Sequence, residues 1–187
     1  MGPQRAGDTA VSTPERPSPT ALTAPPAPQQ ELKSLRSALG RFATGVTVVT
    51  CLDSAGERRG LTVNSFTSVS LEPPLVLWSL RRVSPSLEAF ERASHFAVNV
   101  LSQEQVEVSR HFASQDPDKF AVGHWSEGLG GAPVLSAAAA VFECESYQVM
   151  DAGDHRLLLG QVMNYRDQGV AALVFQGGRY RLLGEVL

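Results

Sequence analysis

At 187 residues the chain has room for one domain of ordinary size and not for two large ones, and 43% hydrophobic with 19% charged residues exclude a wholly disordered or fibrous protein. Sixteen Lys and Arg against nineteen Asp and Glu leave a net charge of -3, so there is no general basic field to attract nucleic acid or anionic lipid. No apolar run approaches the roughly 20 residues that cross a bilayer, so no membrane partner is expected either.

The first thirty residues hold seven of the twelve prolines and almost no apolar periodicity. Residues 1–30 therefore read as a flexible, disordered Pro/Ala-rich tail, and residues 31–187 as the folded domain. The tail lacks the continuous apolar stretch of a secretory signal, and Arg5 and Arg16 are too few for a transit peptide.

From Glu31 the pattern changes: Leu32, Leu35, Leu39 and Phe42 recur at helical spacing, and Gly45 marks the end of that helix. Val46 to Cys51 is β-branched, then comes a polar turn from Asp53 to Gly56, then a second strand from Gly60 to Phe66, together a hairpin. Pro73-Pro74 interrupts the chain before Leu75 to Leu80, read as a strand buried on both faces. Ser84 suits an N-cap and Pro85 a first helical position, with the helix running to about Arg92. His95 to Leu101 alternates with Phe96, Val98 and Val100 on one face, a half-buried strand. Ser102 and Gln105 make a capping box for a third helix ending near Phe112. Beyond a glycine-rich loop (Gly123, Gly128, Gly130, Gly131), strands are expected over Ala138–Met150, His155–Tyr165, Ala171–Phe175 and Tyr180–Leu183, with turns at Asp151–Gly153 and Gln176–Gly178. Seven or eight strands against three short helices fit best as an antiparallel barrel with peripheral helices.

Several familiar chemistries are missing. Gly128-x-Gly130-Gly131 follows no strand and ends in Pro133, so it is not a dinucleotide fingerprint. No serine stands in G-x-S-x-G, and His95, His111, His124 and His155 show no ligand spacing, so neither a hydrolase elbow nor a metal site is expected. Cys51 and Cys144 sit in apolar strands as inert core thiols, and such sparse cysteine use suits a reducing cytoplasm.

Three segments could carry function. Thr62 to Ser70, read as a strand, exposes short hydroxyl and amide side chains that would leave backbone groups open to a planar polar ligand, or is simply a solvated sheet edge. Ser79-Leu80-Arg81-Arg82-Val83-Ser84-Pro85-Ser86 places two guanidinium groups beside a helix start, which suits a phosphate or merely a capped helix with solvated arginines. Gly153-Asp154-His155 is a turn whose histidine either acts or only begins a strand.

In order along the chain, Phe42 to Thr50, Gly60 to Leu80, Phe96 to Leu101, Asp118-Lys119-Phe120 and Gly153-Asp154-His155 resemble the flavin reductase family. Its members are the small NAD(P)H:flavin oxidoreductases that serve two-component monooxygenases. The resemblance runs from Leu32 to Leu183. It implies a mainly β antiparallel split barrel of the FMN-binding type, a homodimer, FMN or FAD with NADH or NADPH as co-substrate, and a flavin-dependent oxygenase as partner. By position, Thr62, Val63, Asn64, Ser65 and Phe66 would line the flavin ring and ribityl chain, while Ser79, Arg81, Ser84 and Ser86 would surround its phosphate. Lys119 and Phe120 would belong to a nearby loop, and His155 would stand where the nicotinamide enters. Which of Arg81 and Arg82 faces the phosphate stays open. Such chemistry needs no triad, since flavin and nicotinamide carry it themselves. Two rivals are a barrel that binds flavin or haem without nicotinamide turnover, with His155 or His111 as haem ligand, and an oxidase with tightly held FMN.

Overall fold

A computed structural model describes residues 29–185; the residues before Gln29, and with them nearly all of the proposed tail, lie outside the described part. Helix α1 (Gln29–Leu39) leads into strands β1 (Thr44–Gly45), β2 (Thr47–Leu52), β3 (Arg58–Val63), β4 (Thr67–Leu71) and β5 (Pro74–Arg81). Helix α2 (Leu87–Arg92), strand β6 (His95–Val100) and helix α3 (Val106–Ala113) follow. Then come β7 (Trp125–Glu127), β8 (Pro133–Leu135), β9 (Ala140–Ala152), β10 (His155–Asp167), β11 (Val174–Gln176) and β12 (Arg179–Arg181).

Seven strands form one antiparallel sheet in the order β3-β2-β6-β9-β10-β5-β4. The alternation of side chains along each strand feeds two cores, one on either side of the sheet. Val46, Val48, Ala97 and Val141 join Phe112 and Leu135 on one side; Val49, Cys51, Phe96, Val98 and Cys144 join Trp78 and Phe90 on the other. Edge strands β3 and β4 are consecutive in sequence, so the short link 64–66 crosses the open seam of a split barrel.

The expected hairpin and the long β9–β10 pair are present, and both glycine turns occur with changed bounds: Gly153–Asp154 in place of Asp151–Gly153, because Asp151 and Ala152 stay paired in the ladder, and Gly177–Gly178 in place of Gln176–Gly178. At the β11–β12 turn Gly177 and Gly178 take φ of 58° and 75°, the left-handed pair that a two-residue hairpin needs. Several expectations are corrected. The first helix stops at Leu39, ahead of Gly40, and buries none of its residues, so Phe42 lies beyond it. The stretch 60–66 is not one strand: β3 ends at Val63, and 64–66 is irregular because it must bridge the seam. Strand β5 alternates, with Val76, Trp78 and Leu80 buried and Leu75, Leu77 and Ser79 half-buried, since only its inner face meets the second core. Helix α2 begins at Leu87; the Ser84 carbonyl accepts from the Leu87 amide at 3.1 Å, so the predicted cap heads a preceding turn. Strand β6 is buried on both faces rather than one. It lies mid-sheet, and its Asn99 is satisfied internally: Nδ2 donates to the Val48 carbonyl at 3.0 Å and Oδ1 accepts from the Leu135 amide at 2.8 Å. The glycine-rich loop holds a small hairpin, β7–β8, that was not expected.

Candidate functional site

The seam link is held by its own side chains. Ser65 Oγ accepts from the Ser79 amide at 3.0 Å and donates to the Ser79 carbonyl at 3.1 Å, so it engages both main-chain groups of that residue and ties the link to β5. Asn64 Nδ2 donates to Thr44 Oγ1 at 3.3 Å. Val63 is buried, and Phe66 stacks on Phe142 with ring centroids 5.6 Å apart. The side chains of Val63 and Phe66 therefore belong to the core, and what these two residues can offer a ligand is main chain.

A cavity of about 850 Å³ opens between β3, the turn before α2 and the loop after α3. Thr62, Ser84, Ser86, Lys119 and Phe120 all line it. Thr62 Oγ1 donates to the Ser109 carbonyl at 2.7 Å, which fixes β3 against α3. The Ser84 hydroxyl accepts from the Ser86 amide at 3.3 Å. Lys119 Nζ donates to the carbonyls of His111, at 3.2 Å, and of Ser114, and so closes the end of α3. Partial burial lowers the Lys119 pKa, with the charge of Asp116 opposing. Phe120 joins Phe112 and Trp125 in an aromatic cluster and carries the Arg58 guanidinium 4.7 Å from its ring centre.

Val63, Asn64, Ser65, Phe66, Ser79, Arg81 and His155 stand outside that lining. Of these, Ser79, Arg81 and His155 gather at the end of β5. His155 pairs with Arg81 in the β5–β10 ladder, so the two side chains emerge on the same face, with Ser79 two residues along. The turn ahead of His155 is only Gly153-Asp154, with Gly153 at φ 62°. His155 Nδ1 lies 2.7 Å from Asp154 Oδ1, and this contact holds the Asp154 carboxyl below its ordinary range. The Asp154 carbonyl accepts from the Arg82 amide at 2.9 Å, which docks the turn against the segment leading to Ser84.

The two arginines differ. Arg82 Nη1 is 2.7 Å from Asp151 Oδ1, whereas Arg81 has no carboxylate within 4.0 Å among the described residues. Inside the cavity the same contrast recurs: Arg59 pairs with Asp53 at 2.7 Å and Arg92 with Glu88 at 3.1 Å, while Arg58 lies over an aromatic face and forms no ion pair among the described residues. The Asp53 carboxyl is held low chiefly by the Glu57 amide, then by Arg59. Arg58 was missed from sequence; its signal was its spacing, two and four residues before Gly60 and Thr62 along the cavity-lining strand.

Hydroxyl donors at Ser84 and Ser86, guanidinium groups at Arg81 and Arg58 that form no ion pair within 4.0 Å among the described residues, and open main chain at the seam form a donor set that suits a phosphorylated, planar, polar ligand such as a flavin nucleotide. Among the described residues no cluster of three or more His, Cys, Asp or Glu side chains could hold a metal. The His111 ring is already engaged, its Nε2 being 2.8 Å from the Asp118 carbonyl. No helix among the described residues is long and apolar enough to cross a membrane.

Fold and donor set together describe a small split barrel with a polar cleft beside the edge of its sheet. The family model "Flavin reductase like domain" matches residues 39–184, and the chain belongs to that family. It is 44% identical over 150 residues to the reductase component of the flavin-dependent trigonelline monooxygenase of Acinetobacter baylyi, covering 80% of this chain and 48% of that protein. It is 43% identical over 148 residues to the FMN reductase (NADH) of Agrobacterium fabrum, covering 79% and 84% of the two chains. The chain thus spans about half the length of the Acinetobacter relative and most of the Agrobacterium one. Among solved structures, the NADH:FAD oxidoreductase of Streptomyces globisporus in complex with NAD and FAD fragments superposes with a TM-score of 0.79 at 38% identity, over 86% of this chain and 98% of that one.

Proposed function

We propose that the chain is an NAD(P)H-dependent flavin reductase that takes FMN or FAD, acts as a homodimer in the cytoplasm, and supplies reduced flavin to a partner oxygenase. The observation that carries this reading is the ladder register that sets His155 beside Arg81, one short turn from Ser84 and Ser86. His155, the side chain proposed to face the nicotinamide, thereby stands next to those proposed to bind phosphate. The Agrobacterium relative, named as an NADH-dependent FMN reductase, and the Acinetobacter relative, named as the reductase component of a monooxygenase, support the reaction and the partner. Two free, buried thiols suit a reducing compartment.

When bound, a flavin supplies the ring that receives hydride from the nicotinamide. The chain's own task is to bind, orient and shield. Ser84, Ser86 and Arg81 would hold the phosphate, with Ser79 placed beside them through Ser65. Main-chain groups from Thr62 to Phe66 would border the ring, Asn64 and Ser65 adding short polar side chains. Lys119 would serve by fixing the loop that carries Phe120 to the cavity wall. His155, oriented by Asp154, would flank the nicotinamide and hold it in a productive approach.

Mixing the protein anaerobically with each flavin and each nicotinamide tests the reading. Flavin absorbance near roughly 450 nm, where the oxidised cofactor itself absorbs, is expected to bleach. Persistence of the oxidised spectrum with both nicotinamides would refute it.

A further inference from the structure

Behind the hairpin tip that bears His155 lies a group of charges that the functional reading leaves unused. Asp151 stands directly opposite Arg156 in the β9–β10 ladder. Its Oδ1 accepts from Arg156 Nη1 at 2.5 Å and from Arg82 Nη1 at 2.7 Å. Arg156 Nε is in turn 2.7 Å from Glu91 Oε1 on α2, an ion pair without hydrogen-bond alignment. One carboxylate thus joins the ends of β5, β9 and β10, and through Arg156 reaches the helix that follows Ser84 and Ser86.

Alternation decides which way this group faces. Arg156 shares a ladder position with Asp151 and with the buried Leu80, whereas His155 pairs with Arg81 on the opposite face. The charges therefore grip the tip from its rear and leave its front to His155. An isolated exposed ion pair contributes little. Here two guanidinium groups share one acceptor; Asp151 and Arg82 are themselves 61% and 50% exposed, but the Arg156 side chain is only 24% exposed, with Glu91 at 31%. Movement of the tip would break several contacts at once.

We infer that Asp151 is a positioning residue that braces the Gly153–His155 turn against the Ser84–Ser86 corner, fixing His155 relative to the phosphate end of the site. The inference rests on the reductase reading. Asp151 acts through Arg82 and Arg156, the two side chains its carboxylate holds.

The test pairs stopped-flow reduction by NADH with titration of flavin binding on the intact chain. Asp151→Ala is expected to slow reduction at saturating NADH about tenfold while flavin Kd moves less than about twofold, because displacing a reacting geometry costs rate and not affinity for the other ligand. Asp151→Glu should recover most of the rate. Should Asp151→Ala fail to fold, Arg82→Gln cuts one arm only and is expected to show the same split at about threefold. Unchanged reduction in the variant tested overturns the brace, and so does a parallel loss of flavin affinity and rate, which marks a general structural role. A wild-type chain that reduces no flavin defeats the reductase reading instead, so the two failures are told apart.

Discussion

Arg81 and Arg82 are adjacent and chemically identical, yet the fold employs them differently. Arg82 is committed to Asp151, 69 residues away, while Arg81 meets no carboxylate among the described residues and shares a face with His155. Arg81→Ala together with Ser84→Ala is expected to weaken FMN binding about tenfold or more and riboflavin binding far less, since charge-assisted bonds to phosphate are lost and riboflavin has none. Equal losses in a fluorescence titration with the two flavins would exclude a phosphate corner. His155→Ala is expected to slow reduction by nicotinamide about tenfold with flavin affinity nearly intact. Collapse of flavin binding in that variant would make His155 structural. The residue types at these positions were legible in the sequence because hydroxyls beside arginines at a helix start form a local pattern. Which arginine remained available was not, because it depends on a partner distant in the chain. Lys119 shows the same limit: its position beside Phe120 was readable, but its commitment to the carbonyls of His111 and Ser114 arises only when the end of α3 folds back.

Elements with strong local punctuation were the readable ones. The β-branched run at Val46–Cys51, the capping contact in which Gln105 Oε1 accepts from the Ser102 amide at 3.0 Å, and the glycine turns all depend on near neighbours. Strand β6 was misjudged because Asn99 looks like an outward polar residue until its amide is seen closing the Val48 and Leu135 backbones. The β7–β8 hairpin was hidden by its glycines, three of which (Gly123, Gly130 and Gly131) have positive φ. Gly160 on β10 illustrates a constraint no local pattern announces. A Cβ there would lie 2.3 Å from Phe96 Cζ and 2.9 Å from Cys144 Cβ, at a point where the β9–β10 register shifts. Gly160→Ala is therefore expected to destabilise the fold by about 1–3 kcal/mol through overpacking of the second core. Urea unfolding measures this, and an unchanged midpoint would show that Phe96 can swing aside at no cost.

At the scale of the whole molecule, the two thiols tie stability to alkaline pH. Burial pushes both Cys51 and Cys144 from 9.0 up to about 12, each with a smaller contribution from a neighbouring carboxylate. Between those values the unfolded chain has released protons that the folded chain still holds. Their contribution is thus full below pH 9 and is lost as pH rises toward 12. Denaturation midpoints are expected to fall across that window, and to fall less in Cys51→Ala, Cys144→Ala chains compared with their own value at pH 9. A drop of the same size without the thiols would assign it to other groups.

The apolar surface left uncovered bears on how many chains make the working unit. Helix α1 has 11 residues, none buried, with Leu32, Leu35 and Leu39 along one stripe, and Phe42 just beyond it is 78% exposed. A helix this short is marginal in water without a face to rest on. Tyr147, Met163 and Tyr165 on the long β9–β10 hairpin are also exposed. In the proposed homodimer these surfaces would cover one another, giving the helix a packing partner that the described residues do not supply. Light scattering is expected to give twice the chain mass, and Leu35→Asp with Phe42→Asp to shift it toward one chain mass, with loss of helical signal confined to a short segment. A wild-type mass of one chain at micromolar concentration would overturn the dimer and leave α1 to be held by something other than a second copy.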